Sequence, residues 1–266
     1  MINHVANFPH GIAIHGEFPS QDVLDLIEKT IKESEFGKLL LTNIDPPYGK
    51  VTDEDFDEYD KDMDLVNELV KVARIIQSWT VEGGALYVWG GIGQPGFRPF
   101  YKFMLECEES TEWNLANHIT WKKKRAYGIQ HNYIFTREEL AYFIKGDIKK
   151  PFIFNIPLLE EKRGYAGYNA KYPAKSEYYR RTNVWTDVTE IMRGKIVETQ
   201  KPERVIEIPI EIHTGKPEHY VLDVYAGSGT TAIAALNKNR KFIVVERKQE
   251  TYNKLIDRIT QWYNNR

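Results

Sequence analysis

Apolar positions along the chain follow two different periods. Val23, Leu24, Ile27 and Ile31 recur at three- and four-residue spacing, which predicts an amphipathic helix over 20–36, with Ser20 placed to cap it after Pro19. Leu39 to Ile44 is a short, mainly apolar run of the kind that forms a buried strand, and it stops abruptly at Asp45-Pro46-Pro47-Tyr48-Gly49. A helix over 65–79, a buried strand over 85–89 and an apolar stretch over 115–121 come next, the last running into Lys122-Lys123-Lys124-Arg125. The C-terminal part reads as strand 220–224, loop 225–229, helix 230–236, strand 241–246 and helix 249–263. Strands separated by helices need crossover connections. The expected fold class is therefore α/β, a doubly wound, mostly parallel sheet covered on both faces.

One stretch departs from this pattern. From Gly146 to Arg181 the chain is rich in Lys, Arg, Tyr, Gly and Pro and has weak periodicity, so it reads as a small insertion (146–181) in a main domain made of 1–145 and 182–266. Asp53 to Asp64 holds eight acidic residues and one lysine, a poor candidate for a packed element. It reads equally as a flap beside a site and as a plain surface loop.

Composition changes this picture in two places. The single Cys107 excludes an internal disulfide framework and a cysteine-cluster metal site, and the seven His show no metal-ligand spacing, so no metal is expected. No run approaches a membrane span and Met1 to Phe18 lacks a leader pattern, which leads to the expectation of a soluble, cytoplasmic protein. The net charge of −2 hides an asymmetry: residues 121–200 carry 16 Lys and Arg against 9 Asp and Glu, and the remainder is acidic. A basic segment on an acidic body suits a polyanion contacted over a limited face; a solvated charged surface is the other reading.

Two loops carry candidate chemistry. In Asp223-Val224-Tyr225-Ala226-Gly227-Ser228-Gly229-Thr230-Thr231-Ala232, two glycines sit between strand and helix, where backbone turns tightly and approaches a ligand unobstructed. Glu246 closes the following strand, where a carboxylate meets ribose hydroxyls. The spacing Gly227-x-Gly229-x-x-Ala232 fits a nicotinamide dinucleotide and S-adenosylmethionine alike. Asp223 adds weight to the second, since a carboxylate there meets a cationic amino-acid moiety and repels a pyrophosphate.

The second loop is Asp45-Pro46-Pro47-Tyr48. Consecutive prolines hold the backbone extended and remove two amide donors, leaving the Asp45 and Pro46 carbonyls as acceptors. Together with the Asp45 carboxylate they suit the N–H bonds of a nucleobase amine, and Tyr48 offers a face for stacking. A rigid turn with an exposed Asp and a packing Tyr is the structural alternative.

At these residues the chain resembles the DNA amino-methyltransferases, specifically their beta group, in which the catalytic tetrapeptide precedes the cofactor loop. Asn183-Val184-Trp185-Thr186-Asp187 and Thr199-Gln200-Lys201-Pro202-Glu203 are also similar to stretches of that group, and the likeness runs over roughly 12–259. The resemblance implies a circularly permuted, Rossmann-like methyltransferase fold in which S-adenosylmethionine methylates the amine of a flipped base in double-stranded DNA, as in restriction-modification systems. It implies Asp45, Pro46, Pro47 and Tyr48 as the catalytic set. It further implies Glu17, Thr199, Gln200, Lys201, Pro202, Asp223, Tyr225, Ala226, Gly227, Ser228, Gly229, Thr230, Thr231 and Glu246 around the cofactor. His15-Gly16-Glu17 departs from the family's Gly-Asp at that place. Within the family, Asp at the first catalytic position favours adenine over cytosine. RNA as substrate, a nicotinamide-dependent enzyme and a non-catalytic nucleic-acid module are the competing readings.

Lys122, Lys123, Lys124, Arg125, Arg180 and Arg181 are the expected DNA contacts, the last two near Tyr172, Tyr178 and Tyr179. The 146–181 insertion is the candidate for target recognition, and its shortness points to a brief recognition sequence or help from a second subunit of a homodimer. A cognate restriction endonuclease is the further partner that the family implies. Trp89, Trp121 and Trp185 stand at expected strand ends, where they either line a crevice or pack in the core.

Overall fold

The computed structural model describes residues 1–46, 62–90, 94–127, 130–131, 133–163, 176–197 and 200–266. The run Leu39–Ile44 is buried at every position and forms β3, the centre of a nine-stranded sheet. Two strands precede it, β1 (Ile2–Phe8) and β2 (Gly11–Gly16), with helix α1 (Gln21–Lys32) leading into it. Then come α2 (Asp62–Trp79), β4 (Thr80–Gly90), α3 (Gln94–Ser110), β5 (Trp113–Tyr127) and β6 (Phe135–Lys145). The short β7 (Leu158–Lys162), β8 (Tyr178–Arg180) and β9 (Val184–Trp185) lead to α4 (Glu203–His213). The chain closes with β10 (Tyr220–Asp223), α5 (Thr230–Asn237), β11 (Lys241–Glu246) and α6 (Gln249–Asn264).

Strand order is β1-β2-β11-β10-β3-β4-β6-β5-β9. The five strands from β2 to β4 are parallel, as expected for crossovers through helices. Side chains alternate between the two faces: Phe242 and Val244 of β11 join α4, α5 and α6, whereas Ile243 and Val245 join α1, α2 and α3. The fold is the expected doubly wound sandwich, with the catalytic candidate strand ahead of the cofactor candidate strand in sequence. From β3 the chain winds outward to β4, and from β10 it winds the opposite way to β11. The carboxyl ends of the adjacent strands β3 and β10 thus flank a switch point, where open sheets leave a crevice.

Three details differ from the sequence reading. Helix α1 ends at Lys32 and not near Phe36, because the chain turns at Ser34, whose Oγ donates to the Ile31 carbonyl and accepts from the Gly37 amide. Ser20 stands at the N-cap position without a side-chain cap; its hydroxyl donates to Asp22 Oδ1 at 2.7 Å. The basic run 122–125 does not follow a strand but belongs to the 15-residue β5, which pairs antiparallel with β6. Within 146–181, β7 and β8 make a separate two-stranded sheet.

Candidate functional site

Residues at the ends of β3, β10 and β11 converge because these strands are parallel neighbours. Leu41 and Thr42 of β3 lie opposite Val221 and Leu222 of β10, so Asp45 and Asp223 emerge on the same rim. Asp223 is fully inside: its Oδ1 accepts from the Tyr225 amide at 2.9 Å and its Oδ2 from the Thr231 hydroxyl at 2.6 Å. The network continues across the sheet, with Asn43 Nδ2 donating to Thr231 Oγ1 at 3.4 Å and Trp89 Nε1 to Asn43 Oδ1 at 3.3 Å. A continuous buried polar chain therefore joins the glycine loop to the strand that carries Asp45.

The loop between β10 and α5 needs its glycines for two different reasons. Gly227 and Gly229 have φ of +52° and +82°, which side-chain-bearing residues rarely adopt. At Gly229 a Cβ would also lie 2.9 Å from Leu255 Cγ, whereas at Gly227 it would meet nothing within 4 Å. The loop is closed by the Gly229 amide donating to the Ala226 carbonyl at 2.8 Å. Ser228 and Thr230 are tied to Arg258, which pairs with Glu203. Glu246 Oε2 accepts from the Gly227 amide at 2.9 Å and Oε1 from the Lys248 amide at 2.7 Å. Each oxygen keeps further acceptor capacity for a ligand hydroxyl.

Burial pushes Asp223 up to about 7, against its bonds from Thr231 and Tyr225 and with the charges of Asp45 and Glu246 adding to the rise. Burial likewise raises Glu246, offset by its amide bonds. Asp45, Asp223 and Glu246 thus make this rim acidic. Glu17 is exposed two residues beyond His15, which pairs in register with Glu246, so it shares this rim.

Lys201 is buried (6% exposed) and its ammonium contacts Asp45 Oδ2, lies 3.3 Å from Glu138 Oε2 and stands 4.7 Å from the Trp89 ring centroid. Burial would lower this lysine, but the charges of Asp45 and Glu138 outweigh it and hold it above its ordinary value. Its carbonyl accepts from Thr230 Oγ1 at 3.4 Å. The Lys201 backbone thus lies beside the glycine loop, while its side chain points to Asp45. Gln200 accepts from the Ile196 amide at 2.7 Å within its own loop, and Pro202 is the buried N-cap of α4. Pro46 is buried behind Asp45; Pro47, Tyr48 and Thr199 lie outside the described residues.

The cationic candidates divide. Lys122, Lys124 and Arg125 are exposed on β5, with Arg125 donating to the Met192 carbonyl at 3.1 Å, and Arg180 is exposed over Phe154. Lys123 turns inward to Glu138, and Arg181 forms a two-pronged pair with Asp187 at 2.5 and 2.7 Å over Trp185. Tyr172 and the acidic stretch up to Lys61 lie outside the described residues, while Asp62 to Asp64 begin α2. Trp89, Trp121 and Trp185 are buried, and Trp121 donates to the Val188 carbonyl at 2.8 Å.

Sequence reasoning missed Glu138, Asn43 and Arg258. The available signal for Glu138 was two consecutive acids abutting the buried run Leu140 to Ile144.

Residues 40–257 match a family model described as DNA methylase. The chain is 27% identical over 248 residues to the Type II methyltransferase M2.LlaDCHI of Lactococcus lactis subsp. cremoris, covering 86% of this chain and 83% of that protein. Among solved structures, the M1.HpyAVI-SAM complex superimposes with a TM-score of 0.60 at 20% identity, over 92% of this chain and 97% of that one. The PvuII DNA methyltransferase, described as cytosine-N4-specific, gives a TM-score of 0.68 at 16% identity, over 97% and 93% of the two chains.

Proposed function

The chain belongs to the DNA methylase family, and we propose that it transfers a methyl group from S-adenosylmethionine to the exocyclic amine of an adenine extruded from duplex DNA. The observation that carries this reading is the adjacency of Asp45 and the Asp223–Thr231 loop at the ends of two neighbouring parallel strands. A methyl donor held by one and an amine held by the other would meet in one crevice. The family match sets aside a nicotinamide-dependent enzyme as the explanation of the same glycine spacing.

The pocket suits S-adenosylmethionine in charge and shape. Asp223 would face its cationic amino-acid portion, Glu246 its ribose hydroxyls, and the open space at Gly227 admits a ligand against the backbone. Thr230, Thr231, Ser228 and the 200–202 stretch support the loop, and Glu17 reaches the same rim. Bound there, S-adenosylmethionine would supply an electrophilic methyl group; the thioether would leave with the sulfur–carbon electron pair, and the methylated nitrogen would release one proton to water. Asp45 and the Pro46 carbonyl accept the two N–H bonds of the amine and so favour a nitrogen whose lone pair is drawn out of the ring. The Asp45 side chain is 28% exposed, which leaves it reachable from the crevice. Pro47 and Tyr48 complete the turn, Tyr48 as the stacking face.

Adenine as target rests on Asp45 standing first in the tetrapeptide. Lys122, Lys124, Arg125 and Arg180 supply the phosphate contacts, and 146–181 reads the target sequence. The test is incubation with methyl-labelled S-adenosylmethionine and unmethylated duplex DNA, followed by digestion to nucleosides and mass spectrometry. Label on the adenine amine is expected. Label on the cytosine amine corrects the target and keeps the chemistry; label on RNA alone, or absence of cofactor binding, overturns the reading.

A further inference from the structure

Four carboxylates crowd the crevice from four strands: Asp45 after β3, Asp223 ending β10, Glu246 ending β11 and Glu138 in β6. The charge of Asp45 is felt at Asp223, where it adds to the effect of burial. Carboxylates gathered on one rim repel one another, and a cation standing among them relieves that repulsion. Lys201 is that cation at Asp45, and Lys123 of β5 pairs Glu138 from the other side. The pairs form a chain, Lys123 to Glu138 to Lys201 to Asp45, in which opposite charges alternate.

We propose that Lys201 is a positioning residue for methyl transfer: clamped by Glu138, its ammonium holds the Asp45 carboxylate in the orientation that meets the incoming amine. The inference rests on the methyl-transfer reading above. Lys201 is 6% exposed and Asp45 28%, so the ammonium reaches the carboxylate from within the protein. Its base is fixed twice, by Pro202 capping α4 and by Thr230 Oγ1 on its carbonyl. Its tip lies 4.7 Å from the ring centroid of Trp89, which is itself anchored on Asn43. Without the ammonium the Asp45 carboxylate would lose the contact that fixes its orientation toward the amine. Glu138 then has a reason to be buried: it fixes the lysine without touching the base.

The test uses single-turnover methylation with saturating S-adenosylmethionine and DNA, alongside calorimetric cofactor binding. Lys201→Met should lower the methylation rate about 100-fold, the scale of removing one preorganised electrostatic contact, with cofactor affinity kept within about threefold. In Lys201→Ala, added ethylammonium should restore the rate saturably, which a purely structural defect would not permit. Glu138→Gln should lower the rate about tenfold; if Lys201→Met fails to fold, this variant decides. A Lys201→Met enzyme within about threefold of wild type, or a Glu138→Gln enzyme at full rate, overturns the proposal. If wild type methylates DNA and Asp45→Ala does not, such a result removes only the role of Lys201. A wild type that methylates nothing removes the reading beneath it.

Discussion

At the carboxyl ends of β3, β10 and β11, polar side chains are buried and bonded to one another; along β5, β9 and the β7–β8 hairpin they stand in water or pair locally. Asp223, Thr231, Asn43 and Trp89 form one network across three strands and a helix. On the other side, Lys122, Lys124, Arg125 and Arg180 are exposed, as are Ile156, Leu158 and Tyr179 nearby. Chemistry that needs fixed geometry occupies the first region, where low dielectric makes each contact strong and each unpaired group costly. The second region presents exposed cations that are not locked into a buried network, which suits a polyanion contacted through many weak bonds.

The largest effect is expected at Asp45. Asp45→Ala should reduce methylation at least about 1000-fold while cofactor affinity stays within about threefold, because the residue acts on the amine and not on the nucleoside. Cofactor loss in this variant, measured by calorimetry, would blur the assignment of roles within the rim.

Next comes Asp223, whose pH dependence has a definite sign. Its folded value near 7 lies above the ordinary carboxylate range, so the folded, ligand-free protein keeps a proton that the unfolded chain releases. The stability that this contributes is fully present below about pH 4 and is lost as pH rises through 7, on the order of 4 kcal/mol at most. Thermal melts of the free protein should therefore lose stability across that window, and Asp223→Asn should flatten the slope. Binding of a cationic ligand should release protons and tighten from pH 5 toward neutrality. A slope unchanged by Asp223→Asn would contradict the account.

Gly229→Ala should destabilise by about 1–3 kcal/mol, from its left-handed φ and the clash with Leu255, and weaken cofactor binding. Denaturant unfolding and calorimetry check both. In the outer region, replacing Lys122, Lys124 and Arg125 together by Ala should reduce the salt dependence of log DNA affinity by about three and leave the rate at saturating DNA unchanged. The smallest effect on DNA is expected from Arg181→Ala. Its guanidinium is committed to Asp187 over Trp185, so the loss is about 1–3 kcal/mol of stability with no change in salt slope. A change in slope would move Arg181 back among the DNA contacts.

The same division explains what the sequence made legible. Strand β3 is found with its bounds, Leu39–Ile44, because a run buried on both faces leaves no ambiguity of period, and its end is marked by prolines. The glycine loop is legible because φ above zero demands glycine at Gly227 and Gly229. Strand β1 is half-exposed with no clean alternation, and β6 opens with charged Arg137, Glu138 and Glu139 before its apolar run, so neither announces itself. Glu138 and Lys201 meet only through the pairing of β6 with β4 and the seating of α4 on β3, contacts distant in sequence that no local pattern encodes. For the same reason the inward turn of Lys123 and Arg181 could not be read from a run of like charges.

The central claim is that donor and acceptor of the methyl group meet between the ends of β3 and β10. A structure of the complex with S-adenosylhomocysteine and a duplex containing the methylated sequence measures this directly. The account predicts an extruded adenine with its amine on Asp45 and the Pro46 carbonyl, about 5 Å from the cofactor sulfur, which leaves room for one methyl group in line. A cofactor seated away from the Asp223 rim, or a base whose amine lies outside the reach of Asp45, would contradict it.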